Sequence, residues 1–471
     1  MVYSWRYPES VHRSVMIAVN PPGHFLWDAK TTDEQLRRYA DVCAKDESCS
    51  NRTDDLMTAI GQTNSDIPER WAFLPIKEGN VRVATFYGLV ESSLEASPIL
   101  AAPVMLDSWL SAAGGDASGF WFQSLLADLA FPQSFIWGEM AALGNADARA
   151  ALSFFSAGDR DPRTILGSPG TDFIWADGKL ADAWPAHPED AKYDSVPTSN
   201  VETLLIGGEL DFATPPQAAT TELLPYLPNG HEVVLPKLGH STSFWTEQPE
   251  AGTHLIDTFL NSGRVDDTRY QPMSVDFTPQ VTLPALAKGI AGTMLGLALL
   301  TVASLLAMAR RVHTRGGYGP KASTALRSLY PIVLGLGGWF AGALIVLTTL
   351  PGVPLDDELL VGVSVGLPIG LGVHLAWTRT NRSATTTAIG FAAATSGALL
   401  GAWLGFQATE GLAALLTTLL GSIVGANLLL LVLDLGDDRQ GTDRPAGTGT
   451  EQTAQRQTDE QSVARTPANI A

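Results

Sequence analysis

Hydrophobic and polar positions give this chain two textures. Up to about residue 280, short apolar runs alternate with charged stretches, as in a globular domain; from about 285 to 433 nearly every position is apolar or small, and charges occur only in short gaps. An apolar run of ~20 residues matches the hydrocarbon thickness of a bilayer. Five such runs follow one another, at about 285–308, 329–350, 358–377, 384–407 and 411–433. One alone would fit a buried core helix; five in succession predict membrane spans. The fourth and fifth are parted only by Thr409-Glu410-Gly411. Beyond them, Gly436–Ala471 is polar and aperiodic, which predicts a disordered tail over 434–471.

In the first part, Val201–Ile206 is a short, β-branched and leucine-rich run ending in Gly207-Gly208, the pattern of a buried strand of a parallel sheet. Pro215-Pro216 opens a helix through Ala218, Ala219, Leu223 and Leu224, stopped by Pro225 and then Pro228-Asn229-Gly230. Glu232–Pro236 reads as a second strand. One helix between two strands predicts a right-handed crossover that makes them neighbours. Between roughly Gly23 and Asn200 the spacing predicts helices instead. Thr32-Asp33-Glu34-Gln35 fits a capping box, and Leu36, Tyr39, Ala40 and Cys43 share one helical face. Further helical stretches are expected around Val83–Leu94, Pro103–Ala112, Gly119–Leu129 and Asp147–Ser156. Aromatic residues such as Trp109, Phe120 and Trp121 in this region are expected in core packing, with a few lining a cleft.

Candidate chemistry sits at the ends of the two strands. Asp211 falls just past the first, where open α/β sheets place catalytic groups, and His240 lies in the loop leaving the second, at the same sheet edge. A carboxylate there can hold an imidazole in one tautomer, and the imidazole can take a proton from a serine hydroxyl. Isolated Asp and His residues in loops are more often simply solvated, and His231 is a competing histidine. No serine stands in a suitable setting. Gly362-Val363-Ser364-Val365-Gly366 matches G-x-S-x-G, but it lies inside the apolar run Leu359–Trp377 with no strand before it, and reads as small residues of a membrane helix. Ser241 and Ser243 follow His240 too closely, and Ser168 sits in a Gly-Ser-Pro-Gly turn.

Val201–Asp211 with Thr214-Pro215-Pro216, followed by Leu235–His240, resembles the carboxyl-terminal part of the tripeptidyl-aminopeptidase and proline-iminopeptidase group of α/β-hydrolases. In that group the matching Asp and His are the triad acid and base. Tyr3–Val11 and Arg13–Pro22 are similar to the end of the helix behind the nucleophile elbow and the strand after it. The resemblance implies an α/β fold: a partial α/β-hydrolase sheet with a helical lid, followed by an all-α region of five transmembrane helices. The expected divisions are a core remnant (1–22), a mainly helical lid (23–200), the portion with Asp and His (201–265), a linker (266–284), the five spans (285–433) and the tail (434–471). It also implies that the chain begins late. The elbow serine, the oxyanion-hole amides, the first strands and any signal peptide are expected upstream, and the fragment alone is expected to be inactive. Acidic lid residues hold the substrate α-ammonium in related aminopeptidases, and Glu139 is the candidate here, against the alternative of an ordinary surface carboxylate.

Charge places the parts. Arg310, Arg311, Arg315, Lys321 and Arg327 follow the first span and Arg379 and Arg382 the third, whereas the alternate connections hold Asp356, Asp357, Glu358 and Glu410. Positive loops stay cytoplasmic, so the hydrolase portion is expected outside the cell and the tail inside. Cys43 and Cys49 are the only cysteines; an extracytoplasmic domain would join them in a disulfide, as related lids often do, and a cytosolic one would leave two thiols. A net charge of −19 argues against nucleic acid. No cofactor or metal is expected. Intramembrane His374, Gln407 and Asn427 could mark a pathway, but without charged partners in the spans they are read as helix contacts. The functional expectation is a membrane-anchored, extracytoplasmic serine hydrolase releasing residues from peptide amino termini. The alternatives are an esterase or lipase of the same fold, and a non-catalytic binding or sensing module on a membrane anchor.

Overall fold

The computed structural model describes residues 1–95, 97–157, 164–183, 192–193, 195–350, 353–379 and 382–442, except the side chains of 132, 133, 243, 412 and 436–442. Most of the tail expected to be disordered therefore lies outside the described residues. The chain divides into two compact units, Met1–Ala291 and Gly292–Ala471.

In the first unit a short helix, Val2–Arg6, and a 3-10 turn, Pro8–Ser10, precede strand β1, Arg13–Ile17. The lid helices that follow include α1 (Ala29–Cys43), α2 (Glu78–Gly88), α3 (Ala102–Ala113), α4 (Ser118–Ser134) and α5 (Trp137–Leu143). Several helix ends differ from the sequence reading, two of them with a clear local cause. α1 starts before the expected capping box, because Asp28 is its N-cap and accepts from the Thr31 amide at 2.7 Å. Thr32 hence lies inside the helix, where its hydroxyl donates back to Asp28 O at 3.0 Å. α2 stops at Gly88 rather than running to Leu94. Gly88 lies against the Met105 side chain, with no room for a Cβ, and the chain then leaves the helix to meet the loop after the last strand. Trp109, Phe120 and Trp121 are buried as expected, and Trp109 Nε1 donates to Thr85 Oγ1 at 2.9 Å. Cys43, at the end of α1, is joined to Cys49 by a disulfide.

Strand β2 (Glu202–Gly208) lies between β1 and strand β3 (Gly230–Leu235), and all pairings are parallel. Arg13 is opposite Glu202, and Gly208 opposite Leu235. Central β2 is covered on both faces. Leu204 and Ile206 pack with Val233, Leu235, Phe244, Leu255 and Phe259, while Leu205 packs with Met16, Leu223 and Leu227. Phe244 comes from α6 (Ser241–Glu247), and Leu255 and Phe259 from α7 (Pro249–Ser262). Burial of each such side chain contributes roughly 1.5–3 kcal/mol relative to exposure. The crossover between β2 and β3 is less regular than a single helix. It winds through an α turn at Pro216–Ala218, a π turn at Ala219–Leu223 and a 3-10 turn at Leu224–Tyr226. Pro225 has no N–H to continue an α ladder.

Among the described residues the second unit is helical. Helix α8 (Leu283–Arg315) leads into it, followed by α9 (Pro320–Ser328), α10 (Tyr330–Thr349), α11 (Glu358–Trp377), α12 (Ala384–Phe406) and α13 (Gly411–Thr442). Five of these, all but the short amphipathic α9, are long and apolar enough to cross a membrane. α12 and α13 are in backbone contact. Gly397 faces Gly425, Gly401 faces Gly421, and Gly405 faces Thr417, each with the opposite carbonyl where a Cβ would stand. Helices in lipid gain nothing by hiding apolar surface from one another, so close approach and dispersion hold such pairs. Polar contacts tie other helices together. Arg327 Nε donates to Asn427 Oδ1 at 2.9 Å and Asn427 Nδ2 to Arg327 O at 3.1 Å, so Asn427 has a basic partner supplied by α9, outside the five long helices. Asp434 accepts from Arg382 at 2.9 Å and from Trp377 Nε1 at 3.1 Å, with the guanidinium 3.5 Å above the Trp377 ring.

A leucine at Gly401 should therefore destabilise the helical unit by about 1–3 kcal/mol or more. A leucine at Gly296, where a Cβ meets nothing within 4 Å, should leave it near wild type. Thermal unfolding of both variants in detergent checks the contrast, and equal shifts would count against the seam.

Candidate active site

Asp211 and His240 meet at the carboxyl ends of β2 and β3. After Gly208 the chain turns, Asp211 N–H donating to Gly208 O at 3.3 Å, and the Asp211 side chain folds back under its own loop. Its Oδ1 accepts from the amides of Ala213 and Thr214 at 2.8 and 2.9 Å. Its Oδ2 accepts from the Thr214 hydroxyl and lies 2.9 Å from His240 Nδ1. The carboxylate has no exposed surface, and these four contacts fill the lone-pair positions it offers. Because an ionised carboxylate only accepts, the neutral ring carries its proton on Nδ1 and its lone pair on Nε2. Among the described residues, no hydroxyl hydrogen-bonds to that Nε2.

His240 comes from a tightly built loop. Lys237 takes a left-handed conformation, φ 58°, which turns the chain back so that Leu238 O accepts from Leu210 N–H at 2.8 Å. Glu209 Oε2 accepts from Lys237 N–H at 2.8 Å. A Cβ at Gly208 would stand 2.6 Å from Leu238 O, so this close approach of two backbones needs the glycine. The environment tunes the imidazole. Burial pulls its pKa down, but the hydrogen bond and charge of Asp211, with the charge of Glu91, outweigh it and leave His240 raised above its ordinary 6.5. Tyr39 is fully buried nearby, and its phenol is pushed far up by that burial and by the charges of Asp211 and Glu91.

The other sequence candidates are not part of this arrangement. Glu139 is exposed on α5 and makes no hydrogen bond to Asp211 or His240. His231 is exposed on β3, its ring 6.1 Å from Phe259. Ser364 lies in the middle of α11, its hydroxyl 3.4 Å from Val361 O. Ser168 precedes the short helix Pro169–Ile174, and Ser241 begins α6 directly after His240. The side chain of Ser243 lies outside the described residues. Three residues were not singled out from sequence: Thr214, Glu91 and Ser92. Thr214 stands three residues after Asp211, the spacing of an Asx-type turn, and was legible on that ground. Glu91 and Ser92 carry no local signal.

Residues 170–271 match the family model described as TAP-like protein, an α/β-hydrolase family; the match takes in β2, β3, Asp211 and His240. No curated protein and no solved structure matches the chain.

Asp211→Asn should lower the His240 pKa, since burial then acts with less opposition. The sign for stability follows. A raised folded-state pKa stabilises the fold below about 6.5, and that contribution is lost as pH rises through the folded value. The variant should lose stability chiefly on the acid side. Histidine-selective NMR titration, with His240→Gln for assignment, checks this. A His240 resonance indifferent to Asp211→Asn would dissolve the pair.

Proposed function

We propose that Asp211 and His240 are the acid and base of a serine hydrolase held at a membrane by its helices. The observation that carries this reading is the 2.9 Å contact between Asp211 Oδ2 and His240 Nδ1, with Nε2 left as the lone-pair nitrogen. In this reading a serine hydroxyl attacks the substrate carbonyl and His240 Nε2 takes its proton. Asp211 stabilises the imidazolium without becoming protonated itself, and Nε2 then returns the proton to the leaving amine. Water regenerates the enzyme by the same route. The serine is not one that the described residues bring to His240, and its identity is what the first experiment reads.

Peptides with a free amino terminus are the proposed substrates, on the strength of the family match and of a helical lid inserted between β1 and β2. Glu139, exposed on that lid, is the proposed partner of the substrate α-ammonium. The hydrolase unit is proposed to stand outside the cell, because basic residues gather in the connections after the first and third spans. The bilayer around the five helices is then its standing partner.

In native membranes the protein should be labelled by a fluorophosphonate on one serine, found by peptide mass spectrometry, and His240→Ala should abolish the label. Absent labelling, or labelling indifferent to that change, would remove the charge relay. Free-amine peptide substrates should be cleaved faster than N-acetylated ones or simple esters, and the reverse order would make the enzyme an esterase. For the orientation, a cysteine at Asp356 should react with an impermeant maleimide in intact cells, and one at Lys321 only after permeabilisation.

A further inference from the structure

The loop that carries His240 is gripped from two sides, and one of them is the lid. On the first side are the bonds from the end of β2 already described. On the second stands Val90-Glu91-Ser92, the stretch that follows α2. The Ser92 hydroxyl donates to Lys237 O at 2.9 Å and accepts from Gly239 N–H at 2.9 Å. The next amide, His240 N–H, donates to Val90 O at 2.8 Å. Ser92 is fully buried. A Cβ on Gly239 would stand 2.5 Å from Ser92 N and 2.7 Å from Val90 O, so the two backbones touch with no side chain between them. Lys237, Gly239 and His240 thus each hold a backbone group against this one strap.

The strap is in turn fastened to the lid. Glu91 O accepts from Ala102 N–H at the start of α3, at 2.8 Å. One residue earlier than the strap, Leu89 O accepts from the buried Tyr39 hydroxyl of α1 at 3.0 Å. The side chain of Glu91 is buried, and its charge reaches both His240 and Tyr39.

We infer that Val90-Glu91-Ser92 is a positioning element for His240, with the Ser92 hydroxyl as its central contact, so that the lid sets the geometry of the base. This rests on the reading of His240 as a general base. Without the hydroxyl, Lys237 O and Gly239 N–H lose their shared partner and the left-handed turn at Lys237 is held from one side only. The imidazole can then drift from Asp211. Catalytic groups tolerate little drift, a misplacement of about 1 Å costing on the order of 100-fold in rate.

The test compares Ser92→Ala and Tyr39→Phe in the full chain. Ser92→Ala removes the bridge and leaves the volume nearly unchanged; Tyr39→Phe frees the strap from α1 without touching the His240 loop. Expected for Ser92→Ala is a fall of the His240 pKa toward 6.5 by NMR titration, with fluorophosphonate labelling in native membranes slowed on the order of 10- to 100-fold. Tyr39→Phe should move both in the same direction and by less. Wild-type titration and labelling in Ser92→Ala would overturn the inference. Should Ser92→Ala fail to fold, an unshifted His240 titration in Tyr39→Phe would overturn it instead. If His240→Ala itself leaves labelling unchanged, the charge relay has failed, and the titrations still judge the strap.

Discussion

A carboxylate with no exposed surface must find its compensation inside the protein, and Asp211 imposes that requirement on everything around it. Removing such a charge from water costs several kcal/mol unless donors replace the solvent. Two amides and a hydroxyl come from the turn that follows it, which sets the conformation of residues 211–214. The remaining contact is His240 Nδ1, so the loop after β3 must approach β2 closely enough to deliver an imidazole. Gly208, at the point of that approach, is the residue that permits it.

The same pairing gives the imidazole its chemical character. Burial disfavours its protonated form, while Asp211 and Glu91 favour it, and the balance falls on the raised side. An imidazole in this setting gains a proton more readily than a free one and keeps its Nδ1 direction while doing so. The carboxylates come from different parts of the fold. Asp211 belongs to the sheet and Glu91 to the lid, so the electrostatics of His240 depend on both layers being assembled.

The helical unit follows a different physical logic. Its long helices offer apolar side chains outward, and the contact of α12 with α13 is made by glycines that let backbones meet. Some of its polar groups are answered by others: Asn427 by Arg327, and Asp434 by Arg382 and the indole of Trp377.

Local pattern was enough to read several features. The run Val201–Ile206 reads as a buried strand because it is β-branched and leucine-rich and ends at two glycines, and the five long apolar runs read as helices because a helix satisfies its own backbone in an apolar medium. Asp211 and His240 were legible because strand ends and crossover handedness bring them to one edge. Other features were decided by contacts between residues far apart in sequence. The early end of α2 at Gly88, the strap at Val90–Ser92 and the pairing of Arg327 with Asn427 depend on partners roughly 15 to 150 residues away. No periodicity records which distant carbonyl a buried hydroxyl will meet. Spacing along the chain determines which elements form, because hydrogen bonding within helices and burial along strands are local. Only the packed structure decides which side chains complete the charge of Asp211 and hold His240 in place, because those groups are selected by shape and by the cost of leaving a buried charge unpaired.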